Sequence, residues 1–477
     1  MLALKALLPT YAGKVKCIYI DPPYNTGNEK WAYNDNVNSP MMKEWLGKVV
    51  DKDDLTRHDK WLCMMMPRLK ILRELLSDEG SIFVQIDGNE SAHLKMLMDE
   101  VLGEENYRNK ISWLRSSSGK TVSRNLSEDT DDIYWYSKTS SYYFYPVFKA
   151  LSEKTKAMYS KNDNDGREYY RLYPLQKTGG PGPETTYDYT DNNGKIWKCP
   201  KKGWRMKYEK LKVLENDGRL SLEGKTLSEK AYWNERENEG QIANNFWYDI
   251  PNLQGSQAEK VEFIGQKPSE LIKRIINIVS DKNDIVLDSF AGTGTTAHAV
   301  LGLNKEDGGN RKFILVEMED YADKITAERV RRVIKGVKNA KDENLKKGLG
   351  GSFSYFELGK PIDTERILKG KDLPTYAEMA RYIFYIATGE EFNEKKANEK
   401  TGFIGESKEY QVYLLYKPDM EYLKSTALTL ERAEKLGKFT GKKRLVFAPA
   451  KYLDQEHLLR YNIDFAQLPF EIYNKAK

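Results

Sequence analysis

Between Asp59 and Leu76 apolar side chains recur every three or four positions, at Leu62, Met65, Met66, Leu69, Leu72, Leu75 and Leu76, a spacing that predicts a helix with one buried face. Methionines at that spacing are read as core packing, not as a binding surface. Gly80 closes the helix, the run SIFVQI (81–86) predicts a strand, and a second helix follows from Asn89 to Val101. Near the start, LALKALL predicts a helix closed at Pro9 and Gly13, and Val15–Ile20 a short strand. Far downstream, Ile285–Leu287 reads as a buried strand broken by Gly292 and Gly294, with Thr295 and Thr296 able to cap a helix; KFILVEMED reads as the next strand, ending at Glu317. Strands alternating with helices predict an α/β core.

The texture changes between Asn106 and about Lys260. No long amphipathic helix dominates there, glycine turns multiply (KTGGPGPETT, DNNGK, ENDGR), and 24 of the 56 aromatic residues fall between Tyr107 and Tyr248, so a β-rich insert is expected. From Gly350 onward YAEMARYIFYIATG, YQVYLLY and KRLVFAP predict a small α+β domain without a catalytic constellation.

Composition adds limits. A chain of 477 residues, 40% hydrophobic and 31% charged, exceeds one core and predicts two or three domains. It has no apolar run of about 18 residues, no secretory signal layout, and three cysteines (Cys17, Cys63, Cys199) without a CxxC, which points to a reduced, cytoplasmic protein. His58, His93, His298 and His457 show no metal-ligand spacing, so no metal is expected. The net charge of +5 is too mild to identify a polyanionic partner, and the distribution matters more. KIWKCPKKGWRMKYEKLK (195–212) carries eight Lys or Arg against one Glu, with Trp197, Trp204 and Tyr208 interleaved. Lys201, Lys202, Trp204, Arg205 and Lys207 are therefore candidate DNA contacts. The competing reading is a solvated charged hairpin whose aromatics face inward.

Two strings carry chemistry. In YIDPPYNTGNE (19–29), Asp21 ends a strand and Pro22–Pro23 fixes two φ angles while removing two N–H donors, so the turn presents acceptors only. A carboxylate and a rigid carbonyl can accept both hydrogens of an exocyclic amine and aim its lone pair at an electrophile, with Tyr24 as a stacking face. In NDIVLDSFAGTGTTAHAV (283–300), glycines at a strand-to-helix turn let a ligand approach the backbone, and Glu317, 29 residues after Asp288, suits the hydroxyls of a ribose. Each has a bland counterpart, a polyproline turn and a tight turn. GTGTTA also fits the dinucleotide pattern GxGxxA, but a nicotinamide dehydrogenase leaves DPPY unexplained and has no catalytic Lys, Tyr or His motif.

Together, DPPY and DSFAGTG resemble an amino-methyltransferase, and their order resembles the β group of DNA methyltransferases. DPPYNTGN, WLCMMMPRLKILRELLSDEGSIFVQIDGNE and GQKPSELIKRIINIVSDKNDIVLDSFAGTGTT resemble the modification (Mod) subunit of type III restriction-modification systems. The resemblance implies a site-specific N6-adenine DNA methyltransferase using S-adenosylmethionine on double-stranded DNA. It implies a Rossmann-like α/β methyltransferase core of circularly permuted motif order, an inserted target-recognition region, a homodimer and a restriction (Res) subunit as partner. The divisions expected are 1–105 and 261–345 for the core, 106–260 for the insert and 346–477 for the C-terminal α+β domain. Asp21, Pro22, Pro23 and Tyr24 would form the catalytic turn; Asp288, Phe290, Gly292, Gly294, Glu317, Lys267 and Pro268 would contact the cofactor. The Asp heading DPPY favours adenine, since cytosine-N4 enzymes of the group usually carry Ser there. A catalytically impaired DNA-binding subunit and a cytosine-N4 enzyme remain alternatives. Gln85 stands where the family often has Ser and receives no role. Met1 opens directly on LALKALL where relatives carry a long extension ending in a strand, so an N-terminally truncated chain with weakened cofactor binding is expected.

Overall fold

The computed structural model describes residues 1–26, 57–116, 126–149, 151–253, 266–359, 373–436 and 441–468. The end of the DPPYNTGN string (27 and 28), Gly265 at the head of GQKPSEL and parts of the 346–477 segment lie outside the described residues.

Helix α1 (Leu2–Tyr11) leads into strand β1 (Val15–Ile20), every residue of which is buried. Helix α2 (Arg57–Leu75), strand β2 (Leu76–Ile86) and helix α3 (Ser91–Leu102) follow, close to the elements read from the apolar spacing. Strands β3 (Tyr107–Leu114) and β4 (Thr130–Ser137) come next. The short strand β5 (Phe246–Trp247), helix α4 (Ser269–Val279), strand β6 (Ile285–Asp288), helix α5 (Thr295–Asp307), strand β7 (Lys312–Leu315) and helix α6 (Glu328–Lys335) complete the core. The seven strands form one sheet in the order β5-β3-β4-β2-β1-β6-β7. β2, β1, β6 and β7 run parallel, and β4 is antiparallel to both of its neighbours.

Both faces of the sheet are covered, as a parallel sheet requires. Ile82, Val84 and Ile86 of β2 and Tyr134 and Tyr136 of β4 join the cluster built on Trp61, Met65, Leu69, Leu72 and Leu94 of α2 and α3. On β7 Phe313 and Leu315 instead pack with Ala297 and Leu301 of α5 and Val330 and Val333 of α6. Strand alternation then puts Tyr19, Gln85 and Asp131 on the face opposite α2 and α3. Helix α4, seated on β1 and β2, is the neighbour there.

The described residues divide into two compact units, 146–244 and the remainder. The first is narrower than the 106–260 insert expected, because β3, β4 and β5 hydrogen-bond into the central sheet. It contains short strands, among them the antiparallel set Tyr170–Pro174, Ser228–Tyr232 and Leu220–Ser221, and the helix Tyr208–Asn216. Its core gathers Leu175, Tyr189, Trp197, Trp204, Leu211 and Leu227. Toward the C-terminus, β8 (Phe403–Glu406), β9 (Tyr410–Leu414), β10 (Lys443–Ala448) and β11 (Ile463–Gln467) form a separate sheet in chain order. Helix α7 (Tyr376–Thr388), started by a Thr375–Glu378 capping box, packs Met379, Ile383 and Phe384 against Ile404, Val412 and Phe447.

Candidate active site

β1 and β6 are parallel neighbours, with Cys17 opposite Val286 and Ile18 opposite Leu287. Their C-terminal ends therefore bring the DPPY turn beside the glycine loop, at the sheet edge where open α/β folds bind ligands. All eleven residues expected to contact base or cofactor belong to this edge or to the segment entering α4, where Pro268 directly precedes the first helical residue, Ser269.

The DPPY turn is held from several sides. Trp61 Nε1 donates to the Pro23 carbonyl (2.7 Å). Among the described residues no donor occupies the Pro22 carbonyl, which leaves it as the backbone acceptor of the turn. Asn25 takes the left-handed conformation at φ 59° and donates through Nδ2 to Glu90 Oε1 (2.6 Å). Glu90 is fully buried; His58 Nδ1 is hydrogen-bonded to its Oε1 (2.8 Å), and His93 Nδ1 stands 3.1 Å from its Oε2. The two rings stack at 4.3 Å with 23° between their planes. This trio is the one His/Glu cluster of metal-ligand type among the described residues, its ligand atoms within 4.8 Å of one another, a grouping of His58 and His93 that their sequence spacing did not show.

Asp21 keeps 21% side-chain exposure, enough for a ligand to reach it. Its Oδ2 accepts from Lys267 Nζ (2.6 Å) and its Oδ1 from the Tyr24 hydroxyl (2.7 Å). Burial pushes the Asp21 carboxyl above its ordinary range, and the charge and hydrogen bond of Lys267 oppose that rise. Lys267, expected to cover a cofactor, is thus bound to the Asp21 carboxylate, with its ammonium 5.2 Å from the centre of the Tyr24 ring.

In the glycine loop Asp288 accepts from the Phe290 N–H (3.0 Å) and the Thr296 hydroxyl (2.6 Å). Burial nevertheless pushes its carboxyl up to about 7, reinforced by Asp21 and Glu317. Glu317 accepts the Gly292 N–H at Oε2 (2.8 Å) and the Met318 and Glu319 N–H groups at Oε1 (2.8 and 3.1 Å); burial raises it too. Oε1 is thus saturated by two N–H groups, while Oε2 retains a lone pair that can accept from a ribose hydroxyl. Gly292 (φ +50°) would point a side chain into nearly open space, its nearest neighbour the Phe290 carbonyl at 3.9 Å. Gly294 (φ +76°) caps α5 and lies tight against Thr326 and Val330. Below it buried Arg329 donates to Thr293 (2.8 Å) and Thr295 (2.7 Å) and fixes the loop. Asp21 and Glu317 both act on Asp288 beside the open space at Gly292, a crowding of carboxylates that favours a cation.

Sequence reasoning missed Asn25, Glu90, Asp131 and the partners of Gln85. A signal existed in TDDIYWYS, where an acid enters a strand of otherwise buried residues. In the basic strip, Lys201, Lys202, Arg205 and Lys207 are exposed, with Lys207 paired to Glu184 (2.7 Å) and Lys202 donating to the Thr178 carbonyl (3.0 Å). Trp204 is 1% exposed and its indole N–H is spent on the Tyr187 carbonyl (2.7 Å). The structure thus corrects its assignment: Trp204 packs the core of its unit and offers no face to a base.

Residues 15–328 match the DNA methylase family (N6_N4_Mtase). The chain belongs to this family. Among curated relatives of this DNA methylase, the type III restriction-modification enzyme StyLTI Mod subunit of Salmonella typhimurium is 30% identical over 80% of the chain and 63% of the relative. The EcoPI Mod subunit of Escherichia phage P1 is 27% identical, covering 76% and 66%. The type II methyltransferase M.KpnI of Klebsiella pneumoniae is 32% identical, covering 66% of this methylase and 78% of the relative. The chain spans only 54–66% of the length of the four type III relatives it matches.

Proposed function

We propose that the chain transfers a methyl group from S-adenosylmethionine to N6 of adenine in double-stranded DNA, as the modification subunit of a type III restriction-modification system. The observation that carries this reading is the juxtaposition of an acceptor-only turn, the Asp21 carboxylate and the Pro22 carbonyl, with a carboxylate-lined glycine loop one strand away. S-adenosylmethionine, when bound, supplies an electrophilic methyl group on a cationic sulfur. The residues fit such a ligand: Gly292 leaves space for it, Glu317 Oε2 offers a lone pair to its ribose, and Asp21, Asp288 and Glu317 together favour its positive charge. Phe290, Gly294, Lys267 and Pro268 frame the same cleft.

Asp21 and Pro22 accept the two amine hydrogens of a flipped adenine, Pro23 stiffens the turn, and Tyr24 supplies a stacking face worth about 1–3 kcal/mol. This is catalysis by alignment in a water-poor site, without a covalent enzyme intermediate. Lys201, Lys202, Arg205 and Lys207 neutralise phosphates, with Trp204 supporting them from beneath. The protein acts in the cytoplasm as a homodimer and associates with a restriction subunit.

Tritiated S-adenosylmethionine and mixed-sequence duplex DNA test the reading. Label is expected in N6-methyladenine, and Asp21→Ala is expected to abolish it while S-adenosylhomocysteine binds within a few-fold of normal by calorimetry. Near-normal turnover in that variant would sink the assignment of the turn.

A further inference from the structure

The Tyr24 hydroxyl has one proton and two carboxylates within reach. It lies 2.7 Å from Asp21 Oδ1 and 3.1 Å from Asp131 Oδ2, so it donates to one at a time and its oxygen can accept from the other. Asp131 is completely buried at the start of β4, and the groups around it are fixed. The Tyr19 hydroxyl donates to Gln85 Oε1 (2.7 Å), which orients that amide so that Nε2 donates to Asp131 Oδ2 (2.8 Å). Arg115 stands 3.2 Å from Asp131 Oδ1. Gln85 itself is 0% exposed. A second buried carboxylate behind the catalytic one, joined to it by a single hydroxyl, is more than a stacking tyrosine requires.

We infer that Asp131 is the terminal acceptor of the amine's proton, reached from Asp21 through the Tyr24 hydroxyl. The inference rests on the methyl-transfer reading above. The N6 lone pair makes the new N–C bond while the donor's S–C bond breaks with its electrons on sulfur. The N6–H bond then breaks to Asp21. Asp21 passes that proton to the Tyr24 oxygen as Tyr24 gives its own to Asp131. One proton has moved from N6 to Asp131, and Asp21 is a carboxylate again. Burial and the neighbouring carboxylates push the Tyr24 phenol far above its ordinary range, so it acts as a neutral conduit and not as a base. Gln85 and Tyr19 are positioning residues for the acceptor.

The experiment compares wild type, Asp131→Asn and Tyr24→Phe. Asparagine at 131 can still accept from Tyr24 and Gln85 but cannot take a proton. In single turnovers its rate is expected to fall roughly a hundred-fold, as for loss of an acid–base group. Affinities for DNA and S-adenosylhomocysteine should hold, and the residual rate should climb with pH as hydroxide substitutes. Carbon NMR of aspartate-labelled chain, without DNA or cofactor, gives a second readout. The Asp131 carboxyl resonance, assigned by its loss in Asp131→Asn, is expected to shift when Asp21 takes up its proton, and that response should vanish in Tyr24→Phe. A variant within about two-fold of wild type with an unchanged pH profile overturns the relay. So does loss of DNA and cofactor binding in step with rate, which marks a structural role. Wild type that methylates no DNA overturns instead the reading beneath it.

Discussion

Asp288 shows how one residue can work against the fold and for a ligand. Its carboxyl, held at about 7 by burial and by the carboxylates around it, carries a proton in the folded chain over a pH range where the unfolded chain has lost it. The folded state then binds more protons, so stability falls as pH rises from about 4 to about 7 and levels off above. Asp288→Asn should flatten that part of the profile of melting temperature against pH. A cationic ligand favours the ionised form, so calorimetric affinity for S-adenosylmethionine should rise between pH 6 and pH 8. The neutral thioether S-adenosylhomocysteine should show the smaller change. The motif letters made Asp21, Asp288 and Glu317 legible beforehand. Asp131 and Glu90 were not, because Tyr24 and Gln85 lie 107 and 46 residues from Asp131, Asn25 and His58 lie 65 and 32 residues from Glu90, and only the sheet and the paired helices bring them together.

Among the elements, the loop between β6 and α5 separates conformational from steric need. Gly294 sits at φ +76° with the Thr326 carbonyl 3.2 Å and Val330 3.3 Å from where a Cβ would stand. Gly294→Ala should therefore cost at least the roughly 1–2 kcal/mol of a left-handed alanine, and shift the start of α5. Gly292→Ala meets no protein atom closer than 3.9 Å, so it should pay only the backbone strain yet place a methyl group in the cleft. Thermal melts and S-adenosylhomocysteine titration should move in opposite proportion for the two. The helices of strong period, α2 and α3, were legible within about two residues, whereas β2 begins at Leu76, ahead of the SIFVQI run, and takes in Gly80, which was read as closing the helix. β3 and β4 were hidden by their setting: aromatic and acidic strands next to a glycine-rich stretch share its texture, and only pairing with β2 places β4 in the central sheet.

At the scale of the whole molecule, the net charge of +5 conceals local structure, and the exposed part of the 195–212 strip is cationic without being aromatic. Replacing Lys201, Lys202 and Arg205 by Ala should reduce the slope of log affinity for DNA against log salt by roughly 0.9 for each phosphate left without its cation, about 2.7 at most. An unchanged slope would locate the phosphate-binding surface elsewhere. The pairing of β1 with β6 has a different kind of consequence. β1 finds β2 early, but its other edge waits for a strand synthesised roughly 270 residues later. At about 5–20 residues per second, a ribosome exposes that apolar edge for some 15–50 seconds. During that time the nascent chain has no cleft to fill and an unpaired strand open to aggregation. Interrupted synthesis before residue 285 would yield a product that has the DPPY turn but lacks every carboxylate of the glycine loop.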